Sequence, residues 1–208
     1  ENMIDAFKKG EDIHASTASK LFKIPLEEVS KTQRSQAKTV NFGIVYGQGA
    51  FAPAEQTGLS RTEAKQMIDA YYENYPKLKE WMAEQVHKAR QLGYVETILG
   101  RKRHLKDINS NNFVVKGHAE RNAVNAPIQG SAADIIKIAM INIQKKLEEE
   151  NLETKMLLQV HDELVFESPE NEVETASKLI KTEMESAFVT QVPLLVEVGV
   201  GKNWLEAH

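Results

Sequence analysis

The spacing of the apolar residues changes at about residue 155, and this change limits what the chain can fold into. Before that point, apolar side chains recur at helical intervals, as in Leu78, Met82 and Val86, which follow one another by about one helical turn. After it, residues 156–160 and 164–166 form short apolar runs separated by polar residues, the pattern of a β-hairpin. We therefore predict an α+β fold: a mainly helical first part, then a part in which helices pack on a small antiparallel sheet.

Turn and cap residues predict where the elements begin and end. The Asn- and Ser-rich residues 107–112 are the best boundary in the sequence, so we divide the chain into residues 1–110 and 111–208. Pro127 is expected to kink or end the helix that precedes it. Ser131 and Asp134 then fit a capping box for a new helix. Residues 194–200 are predicted to form a strand.

The composition excludes several kinds of site but leaves the partner open. The 208 residues include no cysteine, which rules out disulfides, zinc–thiolate sites and thiol nucleophiles and fits a cytoplasmic location. No apolar run is long enough to cross a bilayer, so we expect no membrane span. The net charge of −4 argues mildly against a nucleic-acid partner. Locally, however, residues 101–106 (RKRHLK) concentrate four cations, and local charge matters more than the total.

A first candidate site consists of Arg34, Lys38, Phe42 and Tyr46, which are spaced by four residues. On a helix they would share one face. Two cations followed by two rings suit a nucleoside triphosphate, because the cations meet phosphates and a ring packs on the sugar or base. The alternative is a solvated helix start that merges into a buried aromatic seam, and the spacing alone favours that alternative. Local propensity also allows a strand here.

Two further groups carry polar side chains in patterns that suit a ligand. Arg121, Asn125 and Gln129 are again spaced by four and could hydrogen-bond bases, sugars or phosphates, although a plain polar helix surface explains them better on spacing alone. The tripeptide His161–Asp162–Glu163 separates the two apolar runs of the hairpin. Its adjacent carboxylates suit Mg²⁺, which prefers few carboxylates together with waters and substrate phosphates. An ordinary turn is an equally good explanation of it.

Taken together and in this order, the three groups resemble the family A DNA polymerases. Residues 34–47 (RSQAKTVNFGIVYG) resemble motif B of that family, R-x3-K-x3-F-x3-Y-G, and residues 159–166 (QVHDELVF) resemble its motif C. Residues 121–134 lie between the two motifs, as they do in these enzymes, and residues 11–14 and 201–204 also fit. The resemblance extends over essentially the whole chain.

The resemblance implies template-directed addition of deoxynucleotides to a DNA primer, with two Mg²⁺ ions expected in the complete enzyme. It implies an incomplete right-hand polymerase fold, with residues 1–110 as the fingers and 111–208 as the C-terminal part of the palm. The expected partners are primer–template DNA and dNTPs, and the complete enzyme is expected to be a monomer.

The same resemblance implies roles for the residues that would meet the nucleotide. Arg34, Lys38 and His14 would hold the triphosphate, and Lys38 would protonate the departing pyrophosphate. Phe42 would pack on the incoming sugar. Tyr46 would lie at the templating position, near the end of the helix.

The remaining candidates concern the metal and the DNA. Asp162 would be a metal ligand, and Glu163 would support it as a catalytic residue. Four residues are expected to contact the primer–template near the new base pair: Arg121, Asn125, Gln129 and His161.

One part of the family pattern is absent, since motif A, which contributes the other metal-binding Asp, would precede residue 1. We therefore expect that the 208-residue chain alone does not extend a primer. A single-subunit RNA polymerase shares much of the motif B spacing, but Phe42 and the string QVHDELVFE fit the DNA enzyme better. The alternative from another class is a non-catalytic DNA-binding fragment, in which the basic face would serve binding and Asp162 would have no function.

Overall fold

The computed structural model describes residues 2–47 and 60–207, and the chain divides into two compact units, Glu1–Gly130 and Ser131–His208. The sequence placed its boundary at residues 110/111, which lie inside the first unit. The assignment of residues 1–110 to fingers and 111–208 to palm stays a prediction.

The first unit is mainly helical, as predicted. Ser30 and Ser60 each form a capping box, with Gln33 and Glu63 respectively, so two helices begin directly after them. Gly93 adopts a left-handed conformation (φ 78°) and ends another helix at Leu92. The described helices here are α1 (Asn2–Lys8), α2 (Ile13–Phe22), a 3₁₀ helix (Leu26–Glu28), α3 (Lys31–Val45), α4 (Arg61–Asn74) and α5 (Pro76–Leu92).

A short antiparallel hairpin follows α5 and consists of β1 (Tyr94–Glu96) and β2 (Lys102–His104). Strand β2 carries part of the basic cluster, and its side chains are all exposed.

Two apolar clusters stabilise the first unit. In one, Val40 and Ile44 of α3 pack with Tyr71 and Tyr75, and all four are buried. Because Phe42 lies two residues from each of Val40 and Ile44, it projects from the opposite side of α3. The other cluster joins α5, β1 and the helix after the hairpin; its buried members are Ala89, Val95, Leu105, Ile108, Ala119 and Ala123.

The predicted end of the helix at Pro127, with a new helix capped by Ser131, is wrong. A single helix, α6, runs from Phe113 to Glu149 with Pro127 inside it, so Ser131 and Asp134 lie in a helix interior and cap nothing. A proline inside a helix costs about 3 kcal/mol. Buried side chains on both sides offset that cost, because full burial of a Val or Ile side chain contributes about 1.5–3 kcal/mol, and Val124 and Ile143 are buried. Ala123 belongs to a core cluster of the first unit and Ile143 to a core cluster of the second.

The second unit contains the predicted hairpin, formed by β3 (Lys155–Val160) and β4 (Glu163–Glu167), followed by α7 (Val173–Glu185) and α8 (Trp204–Ala207). Its core is made of Ala139, Ile143, Leu147 and Ala187, with Met156, Leu164 and Phe166 of the hairpin packed against them. The hairpin and the α+β character are therefore confirmed.

The predicted strand at residues 194–200 is wrong, because the structure assigns no strand there. A strand requires a hydrogen-bonded neighbour, and in the described part of the chain this segment pairs with neither β3 nor β4. Instead, the Val196 N–H donates to Glu185 Oε1 at 3.0 Å. Leu195 remains 75% exposed.

Across residues 2–47 and 60–207, no helix combines the length and the apolar character needed to cross a membrane.

Candidate functional site

The candidate residues of motif B are brought together by α3. Arg34, Lys38 and Phe42 lie on its exposed side, and Tyr46 follows directly after its last residue. The Lys38 ammonium lies 5.9 Å from the centre of the Phe42 ring. The Phe42 and Tyr46 rings are 6.0 Å apart and nearly parallel, with an interplanar angle of 12°. We call these four residues the α3 face; it presents cations at one end and stacked rings at the other.

Asp12 joins the start of α2 to the α3 face. It is the N-cap of α2, and its Oδ1 accepts hydrogen bonds from the backbone N–H groups of His14 and Ala15. Its Oδ2 accepts a hydrogen bond from Arg34 Nε at 2.6 Å. Partial burial acts to raise the pKa of Asp12, but the hydrogen bonds from Arg34, Ala15 and His14 together lower it. Asp12 is therefore ionised and fixes the position of the Arg34 guanidinium.

His14 lies beside the same face. Its ring centre is 5.8 Å from that of Phe42, and its Nδ1 is 2.9 Å from the Asn41 side-chain nitrogen. Burial lowers the pKa of His14, the Asp12 charge opposes this, and the Arg34 and Lys38 charges lower it further. His14 is therefore a neutral imidazole at pH 7. The structure thus brings together His14 and the two cations that the sequence grouped with it.

The end of α3 contacts α6. The Asn125 side-chain nitrogen donates to the Tyr46 carbonyl at 3.1 Å. Gly47 has a φ of 63°, and a Cβ at that position would lie 3.2 Å from Arg121 Cγ. Two of the candidates on α6 therefore lie against the end of the α3 face. Gln129 is exposed on α6, and no described contact joins it to that face.

A shallow pocket of about 340 Å³ lies at this contact. Apolar side chains form much of its wall, and Arg121 contributes a guanidinium. A flat aromatic ring with nearby anionic groups suits such a surface. The lining residues are Gly47, Met82, Ala83, Val86, Gly117, Glu120, Arg121 and Val124.

In the second unit, the candidate acids lie at the tip of the β3–β4 hairpin. Val160 pairs with Glu163, so the turn consists of His161 and Asp162 alone, one residue shorter than the sequence suggested. His161 has a positive φ of 54°, and its carbonyl accepts a hydrogen bond from Gln159 Nε2 at 2.9 Å. Both turn side chains are exposed, which leaves the Asp162 carboxylate open to a ligand. We call His161 and Asp162 the hairpin turn.

Glu163 differs from Asp162 because it is already engaged. Its Oε1 accepts a hydrogen bond from the Trp204 indole N–H at 2.9 Å. A carboxylate held by an indole has less freedom to move towards a cation, whereas Asp162 keeps its full set of lone pairs for hard ligands. In the described part of the chain, no three His, Cys, Asp or Glu side chains lie together as a metal site. The carboxylate of Asp162 has the donor chemistry that suits a hard divalent cation such as Mg²⁺.

Three residues with evident positions in these sites received no role from the sequence. Asp12 was detectable, because an Asp directly before an apolar helical run is an N-cap signal. Trp204 was part of the family resemblance, but its contact with Glu163 spans 41 residues and leaves no local pattern. Asn41 follows Arg34 by seven residues and so lies near the same side of α3, but it is buried, and nothing in the spacing predicted its contact with His14.

The comparisons with known proteins agree with these motifs. The profile described as DNA polymerase family A matches residues 1–206. The DNA polymerases I of Caldicellulosiruptor bescii and Streptococcus pneumoniae are each 50% identical to the chain, over 99% and 100% of its length. That of Geobacillus stearothermophilus is 47% identical over 207 residues. The chain belongs to DNA polymerase family A.

A solved structure extends the likeness to three dimensions. The POL domain of Pol1 from M. smegmatis, in complex with DNA primer-template and dNTP, is similar with a TM-score of 0.94 and 42% sequence identity. The match covers 99% of this chain and 36% of that one. The chain spans about a quarter (24%) of the length of the bacterial relatives named above.

Proposed function

We propose that this chain forms part of a template-directed DNA polymerase that adds deoxynucleotides to the 3′ end of a primer. The observation that carries this proposal is the α3 face in a chain of this family, with two exposed cations at one end and two stacked rings at the other. A triphosphate needs positive charge along its length, and its base and sugar need a flat apolar surface. In the proposed complete enzyme, residues 1–110 act as fingers and residues 111–208 as the C-terminal part of the palm.

The proposed nucleotide contacts follow from the charges. Arg34, fixed by Asp12, presents its remaining N–H groups to phosphate oxygens. Lys38 is exposed between Arg34 and Phe42, and it neutralises the leaving pyrophosphate and gives it a proton. His14 is neutral and donates one hydrogen bond to the triphosphate. Phe42 packs on the sugar, and the residue is 44% exposed.

The proposed DNA contacts involve the end of the α3 face, α6 and the hairpin turn. Tyr46 occupies the templating position until the template base enters. Arg121 contacts a phosphate beside the pocket, and exposed Gln129 contacts a base or sugar edge. Asn125 and His161 complete the contacts with the primer–template.

Asp162 would hold the metal, with Glu163 in support. Phosphoryl transfer by polymerases depends on divalent cations, and we propose two Mg²⁺ ions for the complete enzyme. When bound, Mg²⁺ supplies neutralisation of phosphate charge and a more acidic primer hydroxyl. The exposed turn allows Asp162 to reach a ligand without breaking an existing contact, and the Trp204 hydrogen bond keeps Glu163 beside it. Because the relatives are bacterial, the proposed location is the cytoplasm, where the bacterial chromosome lies.

Two other functions make different predictions for the same experiment. The test is primer extension by the complete enzyme, that is, this chain together with the further polymerase segments that its relatives carry. We expect extension with dNTPs that requires Mg²⁺ and little extension with ribonucleotides. Preferred use of ribonucleotides would favour a single-subunit RNA polymerase. DNA binding that is independent of Mg²⁺, with no extension, would favour a DNA-binding fragment and would refute the proposal.

A further inference from the structure

Between α2 and α3, the structure buries polar side chains that the proposed mechanism does not use. Asn41 of α3 is only 8% exposed, and its Nδ2 lies 2.9 Å from Nδ1 of His14 on α2. The other amide atom of Asn41, Oδ1, is buried and has no hydrogen-bond partner. The amide is therefore committed to a single partner, the imidazole of His14.

This contact determines which ring nitrogen of His14 carries the proton. The amide nitrogen of Asn only donates, so Nδ1 of His14 must accept. A neutral imidazole that accepts at Nδ1 carries its proton on Nε2. The hydrogen bond from Asn41 to Nδ1 also fixes the orientation of the His14 ring. Nε2–H remains available as a donor.

Stability alone does not explain an amide in this place. Burying a polar group without all of its hydrogen bonds is unfavourable, and an apolar side chain of similar volume avoids that cost. Val40 and Ile44, the neighbours of Asn41 in α3, are fully buried apolar residues, so the surroundings would accept such a side chain. The advantage of the amide is its hydrogen bond to His14.

We infer that Asn41 is a positioning residue that holds His14 with Nε2–H as the donor to a phosphate oxygen of the incoming nucleotide. The inference rests on the proposed polymerase function. The charged groups that face His14 are Asp12 from the start of its own helix and Arg34 and Lys38 from α3. With those two cations already present, a neutral donor adds directional binding without further positive charge.

The first test is a double-mutant cycle in the complete enzyme, with KM for dNTP and kcat measured separately. Asn41→Leu removes the hydrogen bond and keeps the branched shape of the side chain, and we expect it to raise KM about tenfold, with a smaller effect on kcat. His14→Ala should raise KM to a similar extent, and the double variant should be no worse than His14→Ala alone. Additive effects of the two changes would overturn the inference.

The second test reads the tautomer directly and does not require catalysis. In the complete enzyme labelled with ¹⁵N-histidine, the His14 signals are those lost in His14→Ala. We expect Nε2–H and an unprotonated Nδ1 in the wild type, and a mixture of tautomers in Asn41→Leu. If Asn41→Leu does not fold, the isosteric Asn41→Asp replaces it; its carboxylate should draw the proton to Nδ1. An unchanged tautomer in the variant would overturn the inference.

A matched control is available on α2. Thr17, one turn after His14, is fully buried, and its hydroxyl has no partner. Thr17→Val therefore removes a buried hydroxyl from the same helix and leaves the hydrogen bond between Asn41 and His14 in place, and it should leave KM unchanged. An equal rise in KM for Thr17→Val would show a packing effect and overturn the inference. Failure of the wild-type enzyme to extend a primer would instead refute the proposed function. The tautomer measurement separates the two cases, because it tests the contact between Asn41 and His14 whether or not the enzyme extends a primer.

Discussion

In the first unit, contacts between distant parts of the chain hold the candidate residues, whereas in the second unit the hairpin itself holds the turn. Arg34 is fixed by Asp12, 22 residues earlier, and the Tyr46 carbonyl by Asn125, 79 residues later. The hairpin turn is defined by the pairing of Val160 with Glu163 and by a bond from Gln159, two residues away. The residues proposed to meet the nucleotide thus depend on tertiary contacts, whereas the carboxylate proposed to bind the metal requires only a rigid turn.

Loss of a positive charge from the α3 face is expected to have the largest effect on the rate of nucleotide incorporation. Lys38→Ala should lower the rate of nucleotide incorporation by about 10²-fold or more, because a cation that faces developing charge is lost. Lys31→Ala, at the exposed first residue of α3, is the matched control and should change the rate less than twofold. Single-turnover incorporation at saturating dNTP measures both variants. Equal losses of rate in Lys38→Ala and Lys31→Ala would show that only the total positive charge of α3 matters, which would contradict a specific role for Lys38.

The next prediction tests whether the α3 face depends on its contact with α6. Gly47 and Gly10 both have a positive φ, of 63° and 66°, but a Cβ meets Arg121 only at Gly47. Both Ala variants should lose about 1–2 kcal/mol of stability from the left-handed backbone. Only Gly47→Ala should also lower DNA extension, by several-fold, because it displaces Arg121. Thermal unfolding and primer extension measure the two effects, and equal activity of the variants would contradict the account.

In the second unit, the contact between Trp204 and Glu163 also joins distant parts of the chain. Removing it is expected to have a smaller effect. Trp204→Phe keeps an aromatic ring but removes the N–H that donates to Glu163. We expect extension to fall by about tenfold or less, since the net contribution of one exposed hydrogen bond is small. Leu205→Ala, in the same short helix and 89% exposed, is the control. No change in Trp204→Phe would mean that Glu163 needs no support.

Substitution of Glu172 is expected to have the smallest effect on activity but a measurable effect on stability. Its carboxylate accepts hydrogen bonds from the N–H groups of Glu153 and Thr154 and from the Thr154 hydroxyl. The bond from Glu153 is the main cause that lowers the pKa of Glu172 below its usual value. Because the folded pKa is the lower one, this stabilisation is present above the unfolded pKa and is lost as pH falls through the folded pKa.

Glu172→Gln should therefore lower the melting temperature at pH 7 and leave the rate of extension within about twofold. The difference from the wild type should shrink as the pH falls below the ordinary Glu pKa of 4.5 and through the lowered pKa of Glu172. Glu170→Gln, an exposed neighbour, should unfold like the wild type at each pH. A difference that persists unchanged at pH 3 would contradict the role of the charge.

Local sequence signals predicted the elements that local physics determines. The capping boxes that begin at Ser30 and Ser60 are each complete within four residues, so the sequence alone contains these helix signals. The hairpin was predictable because its two runs are adjacent in sequence. The helical state of α3 came from the family resemblance, since its β-branched and aromatic residues equally suited a strand.

Features that depend on the rest of the molecule could not be predicted in this way. Pro127 breaks a helix in isolation, but packing on both sides of it keeps α6 continuous. Residues 194–200 have the composition of a strand but, in the described chain, no paired neighbour. The contacts of Asp12 with Arg34 and of Asn41 with His14 join two helices, so no spacing within one helix reveals them.

The most direct test of the central claim is the rate of Mg²⁺-dependent primer extension by the complete enzyme and its Asp162→Ala variant. Glu170→Ala, which removes an exposed carboxylate elsewhere in the same unit, serves as the control. The account expects Asp162→Ala to lose about 10³-fold or more in rate, with DNA affinity within a few-fold of the wild type and Glu170→Ala unaffected. Extension by Asp162→Ala at the wild-type rate would contradict the assignment of the hairpin turn as the metal-binding point.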